Sequence, residues 1–142
     1  MSQPGSGPRT TIPGFRTRPD AVQVFSFSAA TWNPHRIHYD TDYTVRHEGY
    51  ESTLVQGPLL GSWLLELAER WVNGWGIVVQ FTYRTVQPVP VGSSLEIAGE
   101  VLEVGPRSKA SVWVGLDDGT RVAIGEIVAA TTEGASSADE TL

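Results

Sequence analysis

The sequence predicts an α+β domain in which a curved antiparallel sheet wraps one long central helix. Three observations lead there. The stretch from Gln56 to Gly74 carries apolar residues at helical period between clear start and stop signals. Four strand-like runs follow it with hairpin-type connections. The strands are grouped away from the helix instead of alternating with it, which is the pattern of α+β rather than α/β.

The helix is read from its punctuation. Gly57 suits an N-cap, Pro58 at the first helical position needs no backbone donor, and Asn73-Gly74 supplies a left-handed terminator, so the helix spans about Pro58 to Val72. Leu60, Trp63, Leu64, Leu67, Ala68 and Trp71 keep the 3.6-residue period, and Ser62, Glu66, Glu69, Arg70 and Asn73 form a narrower polar stripe. Most of the helix is therefore expected to be buried. Gly61, costly in a helix, predicts that another backbone passes close by. The helix is too short for a membrane span and carries Glu66, Glu69 and Arg70.

Before the helix, Val22 to Ala29 alternates and is enriched in Val and Phe, which predicts a strand. Asp40 to Leu54 is polar and predicts turns or a short helix. After the helix, Val78–Val86 alternates Val79, Phe81 and Tyr83 against Gln80, Thr82 and Arg84; Pro88, Pro90 and Gly92 end it. Ser94–Val104 resumes alternation with Leu95, Ile97, Gly99 and Val101 on one side. Gly105-Pro106 marks a turn, and the runs Ala110–Leu116 and Arg121–Thr131 are joined by Asp117-Asp118-Gly119, which favours a tight hairpin. A sheet curled round a single helix explains the wide apolar arc of that helix, and this arrangement is the hotdog fold.

With 142 residues, 40% of them hydrophobic, the chain fits one domain with a real core, expected over residues 13–133. Residues 1–12 and 134–142 lack apolar periodicity and are expected to be disordered. The net charge of −6 without a basic cluster argues against nucleic acid as a partner. Absence of cysteine excludes disulfides, zinc-thiolate sites and a thiol nucleophile. The start is polar and Pro/Gly-rich rather than a secretory signal, so a cytoplasmic location is expected.

The chemistry is concentrated in the loop Thr31-Trp32-Asn33-Pro34-His35-Arg36-Ile37-His38-Tyr39-Asp40, where polar, aromatic and titratable groups follow no amphipathic template. Loops placed by a rigid scaffold often carry function. General acid–base chemistry needs a group titrating near neutrality, a proton donor and, where an oxyanion develops, backbone donors. A loop histidine supplies the first two. The start of a buried helix supplies the third, which singles out the Gly57 N–H. His35 and His38 have no third well-spaced ligand, so no metal is expected.

The segment Asn33–Asp40, followed by Glu48-Gly49-Tyr50 and Leu54-Val55-Gln56-Gly57-Pro58-Leu59, resembles the MaoC-like acyl-thioester dehydratases. The likeness is strongest to the branch holding the mitochondrial 3-hydroxyacyl-thioester dehydratase and the mesaconyl-CoA hydratases, whose pattern runs T-x-N-x-H-R-I-H-Y-D and then E-G-Y-P-G-L-V-V-H-G-P-L. The resemblance implies a hotdog fold, usually dimeric, without a cofactor, and reversible addition of water to a trans-2-enoyl thioester of CoA or an acyl carrier protein. In the wider family an aspartate five residues before a histidine completes the catalytic pair, which maps onto Asn33 and His38. Asparagine cannot take a proton, so the resemblance implies either His38 as sole base with Asn33 orienting water, or work shared with His35. The family's histidine before Gly-Pro is Gln56 here, and its Pro-Gly after Glu-Gly-Tyr is Glu51-Ser52. Both departures bear on substrate shape.

Gly57, Gln56, Arg36 and Tyr39 are the expected substrate contacts. Arg36 fits a phosphate of the carrier but is read more readily as a partner of Asp40 or Asp42, and Tyr39 suits either a pocket wall or a turn. His47 is read as a surface residue, and Trp63, Trp71, Trp75 and Trp113 as core or dimer contacts. Two other functions compete with the hydro-lyase. One is a hotdog thioesterase using Glu66; the other is a non-catalytic acyl-binding subunit of a heteromeric dehydratase, for which Asn33 and Gln56 would mark a decayed site. A homodimer is expected because a lone hotdog leaves an open sheet edge.

Overall fold

The structure, a computed structural model, describes residues 7–132. The elements are β1 (Phe15–Thr17), α1 (Ala21–Ala30), a 3-10 turn (Arg36–His38), α2 (Thr41–Arg46), α3 (Gly57–Val72), β2 (Gly76–Thr85), β3 (Leu95–Glu103), β4 (Arg107–Leu116) and β5 (Arg121–Thr131). The strands form one antiparallel sheet in the order β1-β3-β4-β5-β2. This is the expected hotdog, α+β, with α3 as its filling.

Helix α3 is buried as its period requires. Leu60, Leu64, Leu67 and Trp71 are at most 1% exposed, and removing such side chains from water contributes about 1.5–3 kcal/mol each. Their partners are the inward rows of the sheet, including Leu95 and Ile97 on β3, Val112 and Val114 on β4, and Ile127 on β5. Gly61 does mark a close approach, but the neighbour is a side chain rather than a backbone: a Cβ there would lie 2.3 Å from the Tyr83 ring. The N-cap is Gln56, not Gly57, because the Gln56 carbonyl already accepts the first helical N–H, from Leu60 at 3.2 Å. Gly57 is thus the first helical residue. Gly74, at φ +88°, follows the last turn in the left-handed conformation.

The segment expected as a strand at Val22–Ala29 is the helix α1. Its alternation is misleading, since only Val24 and Ser28, four residues apart, are buried. A local signal explains the outcome: the Asp20 carboxylate accepts the Gln23 N–H at 2.8 Å, and Asp-x-x-Gln is the spacing of a capping box. β1 is an addition, a three-residue strand paired with β3. The Asp117-Asp118-Gly119 hairpin forms as expected, with Gly119 at φ +85°.

Of the arm expected to be disordered, residues 1–6 lie outside the described residues, as does the tail 134–142. The described part is tied down. Trp71 Nε1 donates to the Arg9 carbonyl at 3.0 Å, the Arg9 guanidinium donates to the carbonyls of Arg70 and Asn73, and Ile12 packs against the core. Two crossings then fix the loop that precedes α3. The Val55 N–H donates to the Val89 carbonyl and the Val91 N–H to the Thr53 carbonyl, at 2.8 and 2.9 Å.

Candidate active site

The loop from Asn33 to Asp40 is built from its own side chains. The Asn33 side-chain oxygen accepts the His35 N–H at 3.3 Å, and His35 Nδ1 accepts the Ile37 N–H at 3.3 Å, capping the 3-10 turn. Arg36 donates through Nε and an Nη to Asp40 at 3.0 and 2.6 Å and lies over the Tyr43 ring. Asp40 also caps α2 by accepting the Tyr43 N–H at 2.9 Å. That N–H first, and then Arg36, hold the Asp40 carboxyl below its ordinary range. Tyr39 donates its hydroxyl to the Pro34 carbonyl at 2.8 Å.

The turn delivers His38 inward. It is 9% exposed, whereas His35 is exposed, and the two rings stand 6.0 Å apart. The Leu54 N–H donates to the Ile37 carbonyl at 2.9 Å, and His38 Nδ1 lies 2.8 Å from the Leu54 carbonyl. A carbonyl can only accept, so Nδ1 carries the hydrogen and Nε2 the lone pair. Burial pushes the His38 pKa down, against the Leu54 hydrogen bond that pushes it up. The imidazole is therefore a neutral, oriented base at neutral pH.

His38 and Gly57 line one cavity of ≈ 320 Å³, together with Tyr50, Leu60, Thr85 and Val89. As the first residue of a sixteen-residue helix, Gly57 presents an N–H that no intrahelical carbonyl can accept. It is also where a side chain would intrude, since a Cβ would lie 3.0 Å from Thr85 Cγ2. A base and a helix-terminal donor thus share one space.

The other expected site residues do not line this cavity. Asn33 lines a separate cavity with Trp32, Phe25 and Tyr39. Gln56 is fully buried, and its Nε2 donates to the Val24 carbonyl at 2.6 Å and to Ser28 Oγ at 2.8 Å. It therefore clamps α1 onto the start of α3. Arg36 and Tyr39 are engaged within their own loop, as described above. The residues at the end of β2 and beyond it, Thr85 to Val89, were not singled out by sequence reasoning. Their presence follows from the crossing of Thr53–Val55 with Val89–Val91, a tertiary contact that no spacing in the chain announces.

The fold and this site define a class, the hotdog proteins, here with a loop histidine facing the N-terminus of the central helix. More particularly, the chain belongs to the hydroxyacyl-thioester dehydratase type 2 family, whose model matches residues 3–91. It is 42% identical over 71 residues to the mesaconyl-C(4)-CoA hydratase of Chloroflexus aurantiacus, covering 50% of this chain and 25% of that protein. It is 30% identical over 80 residues to the mitochondrial hydroxyacyl-thioester dehydratase type 2 of Schizosaccharomyces pombe, covering 56% and 27% respectively. The matches thus span about a quarter of the length of these curated relatives. Among solved structures, the (R)-hydratase from A. caviae involved in PHA biosynthesis superposes with a TM-score of 0.76 at 21% identity, over 90% of this chain and 98% of that one. That likeness shows the fold. No helix among the described residues is long and apolar enough to cross a membrane.

Proposed function

We propose that the protein is a cytoplasmic hydro-lyase that adds water to, or removes it from, the 2,3 bond of an acyl thioester carried by CoA or acyl carrier protein. The observation that carries this reading is the shared cavity of His38 and Gly57. In the hydration direction, His38 Nε2 takes a proton from water while the oxygen bonds to C3. The electron pair of the double bond moves toward the thioester carbonyl, whose growing negative charge is met by the Gly57 N–H. The imidazolium then returns the proton to C2, which leaves a 3-hydroxyacyl thioester and a neutral histidine. Dehydration runs the same steps backwards. Asn33 and His35 act as positioning residues, the first by capping the loop at His35 and the second by capping the turn that aims His38.

The thioesterase alternative finds little support. Glu66 pairs with Arg70 at 2.5 Å and lines a different cavity, near Asn73. The test is to incubate crotonyl-CoA with the protein and follow enoyl absorbance and free thiol together. Loss of the enoyl signal without thiol supports the proposal. Thiol release supports a thioesterase, and neither signal supports the non-catalytic subunit.

We further propose a homodimer. β2 is an edge strand of ten residues, and Ile77, Val79 and Tyr83 on it stay 39–45% exposed. A long apolar edge invites pairing, and a two-fold axis through β2 would close it against a second copy. A solution mass near twice 15.4 kDa is expected; a mass of 15.4 kDa at all concentrations would contradict it.

A further inference from the structure

His38 lines a second cavity, also ≈ 320 Å³, on the side of α1, with Val22, Phe25, Tyr39, Thr41 and Thr53. Phe25 and Tyr39, in edge-to-face contact at 6.1 Å, are shared between this cavity and a third of ≈ 230 Å³ that ends at Trp32. His38 is shared between the first of these and the cavity of Gly57, so neighbouring cavities have lining residues in common. The helix side chains beside them are unusually apolar for their exposure: Val22 is 73% exposed and Phe25 57%. Nothing in the core requires them there.

The order of atoms in an enoyl thioester decides what this trough is for. Sulfur, C1 with its oxygen, C2, C3 and C4 follow in sequence. On the proposed hydro-lyase reading, Gly57 meets the C1 oxygen and His38 serves C2 and C3. Whatever continues from C4 therefore leaves the reaction centre past His38, on the side away from Gly57. We infer that the acyl tail lies in the trough along α1, and that Val22 and Phe25 set the acyl-chain length the protein accepts. Tyr39 is held by Pro34 and forms the fixed wall, while Phe25, on an exposed helix face, is the adjustable one. The substrate class is a medium-chain acyl thioester, bound more tightly than a crotonyl-sized one, which still reaches His38 but leaves the trough empty.

The inference is tested by calorimetric titration of the full chain with butyryl-CoA and octanoyl-CoA, saturated ligands that bind without reacting. Each methylene buried in the trough strengthens binding by up to about fourfold. Octanoyl-CoA is therefore expected to bind the wild type roughly tenfold or more tighter than butyryl-CoA. Val22→Trp, which fills the trough, and Val22→Glu, which charges it, are both expected to collapse that ratio; position 22 is exposed enough that both variants fold. A wild type without chain-length preference, or a ratio that survives both substitutions, overturns the inference. Crotonyl-CoA hydration measured on the same preparations separates the two claims. Hydration with an unmoved ratio refutes the trough alone, whereas a collapsed ratio without hydration refutes the hydro-lyase and leaves the trough standing.

Discussion

Replacing Gly61 by alanine sets two effects of known size against each other. Alanine in a helix interior is favoured over glycine by about 0.5–1 kcal/mol. The new Cβ, however, would stand 2.3, 2.6 and 2.7 Å from three atoms of the Tyr83 ring, far inside any contact real side chains make. Tyr83 is stacked on Phe81 at 5.4 Å, so it cannot swing aside without losing that contact, and forced repacking of this kind costs about 1–3 kcal/mol. Overpacking wins, and Gly61→Ala should destabilise by roughly 1–2 kcal/mol, lowering Tm by about 3–7 °C for a chain of this size. In a Tyr83→Ala background the ring is gone and only the helix term remains. There Gly61→Ala should stabilise. Thermal unfolding of the four proteins of this cycle gives both signs. The same sign in both backgrounds would refute the account of why glycine occupies the middle of α3.

Three further outcomes are expected. The folded-state pKa of His38 is depressed by burial, so on acidification below about pH 6.5 the unfolded chain takes up a proton before the folded one. Stability should fall through the window from there down to the folded pKa, and His38→Asn should flatten that part of a stability-against-pH curve. The hydration rate should show its acid limb below pH 6.5 for the same reason. Deleting residues 1–12 should lower Tm markedly, because it strips the partner from the buried indole N–H of Trp71, about 1–3 kcal/mol, and removes Ile12 from the core; an unchanged Tm would show the contact to be dispensable.

Elements whose ends are marked by side-chain chemistry were legible. Pro58 and Gly74 bracket α3, and Gly119 places the β4–β5 hairpin, because each answers a backbone requirement that few residues meet. α1 was misread because Val22-Gln23-Val24-Phe25-Ser26-Phe27 alternates like a strand. Asp20 settles the matter locally by capping, and Gln56 globally by reaching the Val24 carbonyl from thirty-two positions away. The site divides along the same line. His38 and Gly57 could be paired from chemistry alone, and the structure puts them in one cavity. Where Asn33 and Gln56 would point could not be read, since both orientations are decided by hydrogen bonds to backbone atoms whose positions only the fold supplies.

The central claim is that the oriented lone pair of His38 does the chemistry. The most direct measurement compares the rate of crotonyl-CoA hydration by the wild type and by His38→Ala, with circular dichroism and acyl-CoA binding recorded on both. A fall of about two to four orders of magnitude with fold and binding retained is expected. Full hydration activity in His38→Ala would contradict the account, whatever the fold.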